Sequence, residues 1–284
     1  MIKHITSFVN LFNRTTLNNL VGFATLIAAG VVTAPTIAQI RTSVRCPPCL
    51  SLVVFSENFD SVTPPALPPG WLATNALGSP PLWVTSNSGV PIPPSDTPPN
   101  SVFIDDPADL SDKRLDSLSF SFFESCCAQV SFRHNFNLEA SDIDPNLGFD
   151  GGVLELSTDG GNTFQDVIAA GGSFVMGGYN RTIAADRGSP IAGRQAWSGN
   201  SGGFMTTVVN VPSFMGPAGM KFRWRMASDT TGSGEGWRVD TVTISRCLAL
   251  GCTPRPRPTP APRPVPSAPP SPHATPEFTP APRP

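Results

Sequence analysis

The sequence predicts an all-β fold, a two-sheet antiparallel jelly-roll sandwich. Three observations carry this. Period-two alternation recurs along the middle of the chain, helical periodicity is almost absent, and Gly, Pro, Asn and Asp clusters separate the alternating runs. Val130, Phe132, His134, Phe136 and Leu138 alternate with Ser131, Arg133, Asn135, Asn137 and Glu139. Met220, Phe222, Trp224 and Met226 alternate with Lys221, Arg223 and Arg225, and Leu118, Phe120 and Phe122 alternate with serines. Further strands are expected at 50–59, 101–104, 152–157, 164–168, 206–211 and 236–245. Many short strands joined by Gly- and Pro-rich loops make a sandwich or barrel. Two loops are long, 63–100 and 171–203, and long loops on a rigid scaffold are where binding residues concentrate.

The two ends read differently. Lys3, His4 and Arg14 precede an apolar run, Leu20–Val32, too short to span a bilayer comfortably, and Thr36-Ile-Ala38 offers small residues for cleavage. Residues 1–38 are therefore expected to be a secretory signal, with an uncleaved membrane anchor as the alternative, and 39–49 a linker. Residues 247–284 form a Pro-rich tail, with 14 of the 33 prolines after Cys252. Proline removes the amide donor and fixes φ, so a stiff, solvated spacer is expected there, or a linker to something beyond. The jelly roll itself is assigned to 50–246. That span holds 11 Lys and Arg against 20 Asp and Glu, a net of −9. Such an acidic domain argues against a nucleic-acid partner and is compatible with divalent cations.

Six cysteines in an exported chain suggest disulfides. Cys46, Cys49, Cys247 and Cys252 are expected to join the two ends of the domain, with a zinc site from the same two pairs as the alternative. Cys126 and Cys127 are neighbours and point to opposite faces of a strand.

Four motifs invite a chemical reading. Ser157-Thr-Asp-Gly-Gly-Asn-Thr-Phe164 has the Asp-box spacing, which occurs once and reads as a hairpin turn. Asp142, Asp144, Asn146 and Asp150 place oxygen ligands at alternate positions, loosely as in a calcium loop, although the glycine is displaced and no Glu stands at position twelve. Glu57 and Asp60 close the first strand and Asp240 lies in the last; if those strands run side by side, these carboxylates and Asp105 or Asp106 can share one hard cation. Gly199-Asn-Ser-Gly-Gly203 is similar to the nucleophile loop of trypsin-like proteases, but Asn200 replaces its Asp and His134 sits among apolar residues, as a core histidine does. Paired carboxylates for glycoside hydrolysis stay open, with no pair singled out. Trp71, Trp83 and Trp197 lie in or beside the long loops and are the expected stacking platform for a carbohydrate.

Glu57-Asn-Phe-Asp60, Leu67-Pro-Pro-Gly-Trp71, Trp83, Phe132-Arg-His-Asn-Phe136 with Glu139, Phe149–Ser157, Arg223-Trp-Arg225 and Gly236-Trp-Arg-Val-Asp240 recur in an order that resembles the MAM-like, concanavalin-type jelly-roll modules of secreted bacterial proteins. Such modules often accompany metalloproteases of the immune-inhibitor-A and fungalysin types. The resemblance implies an accessory, non-catalytic role in adhesion or substrate binding, with carbohydrate or cell-surface protein as partner. It also implies a structural calcium, which strengthens the expectation at Glu57, Asp60 and Asp240. The expectation is a secreted, cell-surface or periplasmic binding module, with a polysaccharide-acting hydrolase or a protease accessory domain as the alternative.

Overall fold

The computed structural model describes residues 50–121, 127–212, 214–215, 219–248 and 255–256. The expected signal, the linker and nearly all of the tail lie outside them, as do Cys46, Cys49 and Cys252. The strands in chain order are β1 (Leu50–Glu57), β2 (Leu72–Leu77), β3 (Val84–Ser86), β4 (Ser101–Ile104), β5 (Ser111–Asp116), β6 (Cys127–Leu138), β7 (Leu147–Gly148), β8 (Gly151–Ser157) and β9 (Gln165–Asp166). They continue as β10 (Ser173–Met176), β11 (Arg181–Ile183), β12 (Gln195–Ala196), β13 (Gly199–Asn200), β14 (Met205–Pro212), β15 (Phe214–Met215), β16 (Lys221–Ser228), β17 (Gly236–Leu248) and β18 (Arg255–Pro256). Among the described residues there is no helix.

The fold is an all-β, two-sheet antiparallel sandwich. The larger sheet has the order β10-β14-β6-β17-β4-β3, with β1 also on β17 and β13 also on β6. The smaller has the order β2-β5-β16-β8-β9. Strands β6 and β17 pair from Gly236↔Asn137 to Arg246↔Ala128 and form the spine of the larger sheet. The outer edge of β17 serves two strands in turn, β4 along Trp237–Val239 and β1 from Val242 onward. A bulge at Thr241, whose φ is 49°, changes the phase of β17. Trp237 and Val239 face the core before it, and Val242 and Ile244 after it. First and last strands of the domain thus run side by side, as the sequence suggested.

The core lies between the sheets. Phe132, Phe136, Val239 and Ile244 from one side meet Leu115, Leu154, Phe222 and Trp224 from the other, all essentially inaccessible. His134 belongs to this core and is fully buried. Its Nδ1 accepts from Trp237 Nε1 at 3.2 Å, and its Nε2 pairs with Thr207 Oγ1 at 2.9 Å. Thr207 donates onward to the Gly177 carbonyl at 2.6 Å, which assigns the ring proton to Nε2.

Two departures from the expected strands have one cause. Leu118–Phe122 is no strand where described; Phe120 makes only an isolated bridge to Met220. The strand that pairs with β16 here is β5, which lies between β16 and β2 and has the sequence Ser-Asp-Lys-Arg-Leu-Asp. Polar alternation hid this strand, because its outward face is a ladder of ion pairs. Asp112 accepts from Arg225 Nε and Nη2 at 2.8 and 2.9 Å and from Arg114 at 2.6 Å. Arg225 reaches Glu155 at 3.0 Å, and Arg194 joins Glu155 to Asp166 at 2.7 and 2.9 Å. Arg223 grips Asp116 at 2.6 and 2.8 Å and lies 3.6 Å over the Phe164 ring. Burial opposes ionisation of Asp112, but Arg225 and Arg114 outweigh it and hold its pKa below the ordinary value.

The long loop 171–203 folds back over this outer face. Its strands β11 and β12, with β7, make a three-stranded sheet. Ile183, Ile191 and Ala196 pack on Val153 and Ala227 as a second, smaller core. Gly151 and Gly152 make the approach possible. A Cβ on Gly151 would sit 2.7 Å from Ile183, and one on Gly152 would sit 2.6 Å from the Trp237 ring on the opposite face. The other long loop, 63–100, is pinned to the larger sheet by Arg238, which donates to the carbonyls of Val90 and Ser88 at 2.8 and 2.7 Å.

Two outcomes are expected. Replacing Arg225 with Met leaves Asp112 and Glu155 without their shared cation and should cost about 3 kcal/mol in denaturant unfolding; Arg114→Met, at the exposed end, should cost well under half of that. Equal costs would contradict a ladder organised by Arg225. For His134, burial depresses the pKa from 6.5 to about 3. A depressed folded-state pKa stabilises above the unfolded value and loses that contribution as pH falls between the two. Stability should therefore drop from pH ~6.5 towards ~3 by up to ~1.4 kcal/mol per pH unit more in the native chain than in His134→Gln. Parallel pH profiles would show that the histidine is not held neutral.

Candidate functional site

The expected stacking platform is not one. Trp83 and Trp197 are inaccessible and Trp71 is 7% exposed. Each indole is packed edge-on or tilted against other rings, Trp71 on Phe59 and Trp224, Trp83 on Trp237, and Trp197 on Phe132, His134 and Tyr179. Large apolar rings contribute more to the core than to a solvated loop, so the loops carry them inward.

The cation expected between the terminal strands is not supported by the geometry either. Glu57 Oε1 accepts the Phe59 amide at 2.8 Å, and Asp60 accepts the Asn100 amide at 2.9 Å. Asp240 accepts the amides of Asp96, Thr97 and Thr241 at 2.8, 2.9 and 2.6 Å, which fastens the loop 63–100. Burial raises its pKa to about 6. Asp105 pairs with the buried Lys113 at 2.5 Å. These four carboxylates are occupied by amides and a lysine, and they do not converge.

In the segment Asp142–Asp150 the centre is filled from within the chain. Arg181 Nη1 lies 3.4, 3.2 and 3.1 Å from the carbonyls of Ser141, Asp144 and Leu147. Asp144 accepts the Asn146 amide at 2.8 Å. A guanidinium stands where a loop cation would, so Asp142, Asp144 and Asn146 form a turn. Asp150 leaves this group and points elsewhere.

Asp150 joins a cluster that no local motif marks. Carboxylate oxygens of Glu139, Asp150 and Asp229 lie within 4.8 Å of one another. Asp106 faces Asp150 beside them. Glu139 follows β6, Asp229 follows β16, Asp106 stands two residues after β4, and Asp150 precedes β8. The antiparallel pairings bring all four points to one end of the sandwich, bridging both sheets. Burial first, then mutual repulsion, raises Asp150 to about 9 and Glu139 above its ordinary value; burial likewise raises Asp106. Gly232 lets the loop after β16 close over Glu139, since a Cβ there would sit 2.0 Å from the carboxylate and its φ is +71°.

The two motifs with an enzymatic look are turns. Ser157 and Asp159 of the Asp box cap each other and the backbone of Gly161 and Thr163 at 2.8 to 2.9 Å. Those bonds outweigh partial burial and hold Asp159 at about 2. Ser201 Oγ accepts the Phe136 amide at 3.0 Å and donates to Gly203, far from any role for the buried His134. Cys127 and Cys247 are both disulfide-bonded.

Beside the outer face of the smaller sheet is a groove of about 610 Å³. Ile168, Ala169 and Phe174 give it an apolar floor, and Tyr179, Arg194 and Gln195 bring polar groups to its side. The Phe174 and Tyr179 rings meet edge to face at 4.8 Å. Tyr179 Oη is fixed between Leu154 and Asp166 at 3.0 and 3.1 Å. Its volume is that of an ordinary ligand cleft. The sequence had marked the loop 171–203 for binding, and it supplies Phe174, Tyr179, Arg194 and Gln195.

No family model matches the chain, and no curated protein matches it. Among solved structures, the K1 and K3 cleaved adhesin domains of Lys-gingipain from Porphyromonas gingivalis W83 align with TM-scores of 0.40 and 0.38, at 17% and 14% identity. Both alignments cover 69% of this chain, and 97% and 98% of those domains. The carbohydrate-binding module TmCBM61, solved with β-1,4-galactotriose, aligns with a TM-score of 0.35 at 9% identity, over 63% of this chain and 89% of that one. Likeness at this level says nothing of what this chain binds.

If the loop after β16 must cross Glu139 as closely as it does, Gly232→Ala should lower unfolding stability by at least about 1 kcal/mol, from the left-handed backbone alone. Gly188→Ala, also at positive φ but with open space around it, should cost less. A reversed order would contradict the close approach.

Proposed function

We propose that this chain is an exported, non-catalytic binding module that seats a carbohydrate in the groove formed by Ile168, Phe174, Tyr179, Arg194 and Gln195. The groove carries the reading. Aromatic edges beside an Asp, an Arg and a Gln suit a pyranose, whose C–H face is apolar and whose hydroxyls need paired donors and acceptors. The ion-pair ladder beneath fixes Arg194 before any ligand arrives, so little side-chain freedom is lost on binding. The ordered motifs from Glu57-Asn-Phe-Asp60 to Gly236-Trp-Arg-Val-Asp240 support membership of the MAM-like group of secreted modules. The signal-like segment and the Pro-rich tail fit a domain held out from a cell surface. A surface protein is the second reading, favoured by Val175 and Met176, which are 58% and 57% exposed on the edge strand β10 next to Phe174.

The test is binding of the full chain to an oligosaccharide array, with the affinity of any hit measured for Gln195→Ala and Phe174→Ala. Each substitution is expected to weaken binding by about tenfold or more, with folding checked by circular dichroism. Gln195 is exposed and its one side-chain bond is to Thr182, so Thr182→Ala serves as the control that separates loss of that bond from loss of ligand contact. Binding that neither substitution changes, or no glycan bound at all, would reject the carbohydrate assignment.

A further inference from the structure

We propose that Asp106, Glu139, Asp150 and Asp229 hold one calcium ion, which ties the ends of β4, β6, β8 and β16 together. The argument rests on how each carboxylate is divided. One oxygen of three of them is fixed by the backbone. Asp106 Oδ2 accepts the amides of Glu139 and Gly234 at 3.1 and 2.8 Å. Asp150 Oδ1 accepts the Asp229 amide at 2.6 Å, and Asp229 Oδ1 accepts the Thr231 amide at 2.7 Å. The other oxygen meets no amide, hydroxyl or cation, and the Asp106 and Asp150 carboxyls face each other within hydrogen-bond reach. Asp106 Oδ1, Glu139 Oε2, Asp150 Oδ2 and Asp229 Oδ2 are all buried without a hydrogen-bond partner. Asp106, Asp150 and Asp229 are 3%, 0% and 1% exposed, so bulk solvent does not reach these carboxylates. None of the four makes a salt bridge to Lys or Arg among the described residues.

A buried carboxylate oxygen without a donor is costly, and three that converge within 4.8 Å, with Asp106 beside Asp150, are costlier still. The amides engage one oxygen of each aspartate and leave the second without a donor. That arrangement is a preformed shell for a hard cation. Every donor is a carboxylate oxygen, with no His or Cys, which disfavours zinc. Magnesium keeps several waters and demands near-ideal octahedral geometry, whereas calcium accepts a dense, irregular carboxylate shell. The ion belongs to none of the local patterns read from the sequence. It is independent of the groove, and either proposal can fail alone.

The test is calorimetric titration of calcium chloride into the EDTA-stripped full chain, with thermal unfolding in EDTA and in millimolar calcium. One calcium per chain is expected, with a higher melting temperature in calcium and a smaller rise in magnesium. Asp150→Asn and Glu139→Gln should each weaken calcium at least about tenfold. Asp150→Asn keeps an acceptor for the Asp229 amide and brings in no charge, so its EDTA-form melting temperature should equal or exceed that of the native chain. Glu57→Gln and Asp144→Asn should keep the full response. A melting temperature that ignores calcium would mean that the carboxylates share protons instead, and would overturn the proposal. So would a response that survives Asp150→Asn and Glu139→Gln, or one that Glu57→Gln abolishes.

Discussion

The long pairing of β6 with β17 sets the position of nearly everything else. These are the two longest strands, and each shares its free edge between two partners. β14 and β13 follow one another along β6, and β4 and β1 along β17. A slip of one residue would turn Phe132, His134 and Phe136 outward and bring Arg133 and Asn135 into the core. Register is held from within by the chain Trp237 to His134 to Thr207 to Gly177, which crosses three adjacent strands. It is held from outside by Asp240 and Arg133, which face each other across the pair and bind the loop 63–100. The bulge at Thr241 then lets one strand present its apolar residues to the core on both sides of a change in phase.

Charge is handled differently on each surface of the sandwich. On the smaller sheet, Asp112, Asp116, Glu155 and Asp166 each have an arginine within 3 Å, and the network reaches the groove through Asp166 and Arg194. Exposed pairs contribute little to stability, but these are largely covered by the loop 171–203 and share partners. At the end where β4, β6, β8 and β16 meet, the carboxylates form no salt bridge among the described residues, and Arg187 acts on Glu139 only from a distance. This contrast, between compensated and uncompensated carboxylates in one acidic domain, distinguishes the cluster from a solvated acidic patch.

The strands with one apolar and one polar face were legible in the sequence, because alternation and burial coincide in β6, β14, β16 and β17. β5 was not, since Lys113 and Ser111 occupy its inward positions and paired charges its outward ones. Leu118–Phe122 misled in the opposite sense, with alternation but little pairing. The composition of the two long loops announced binding, yet their tryptophans went to the core, where burial of a large ring outweighs loop geometry. The candidate cation ligands misled most. Asp142, Asp144 and Asn146 have local spacing, and local spacing is visible in a sequence. Asp106, Glu139, Asp150 and Asp229 come from four separate segments joined only by the strand pairings, so no window contains them. Asp150 was named for the wrong partners, and a half-buried arginine in place of a loop cation left no trace in spacing.

The most direct measurement of the spine is native-state amide hydrogen exchange. If β6 and β17 organise the sandwich, the amides of Phe132, His134, Val239 and Ile244 should be among the slowest, opening only with global unfolding. Amides of β2, β9 and β10 at the sheet edges should exchange through smaller openings. A chain in which β5, β16 and β8 stay protected after β6 and β17 have exchanged would contradict this account.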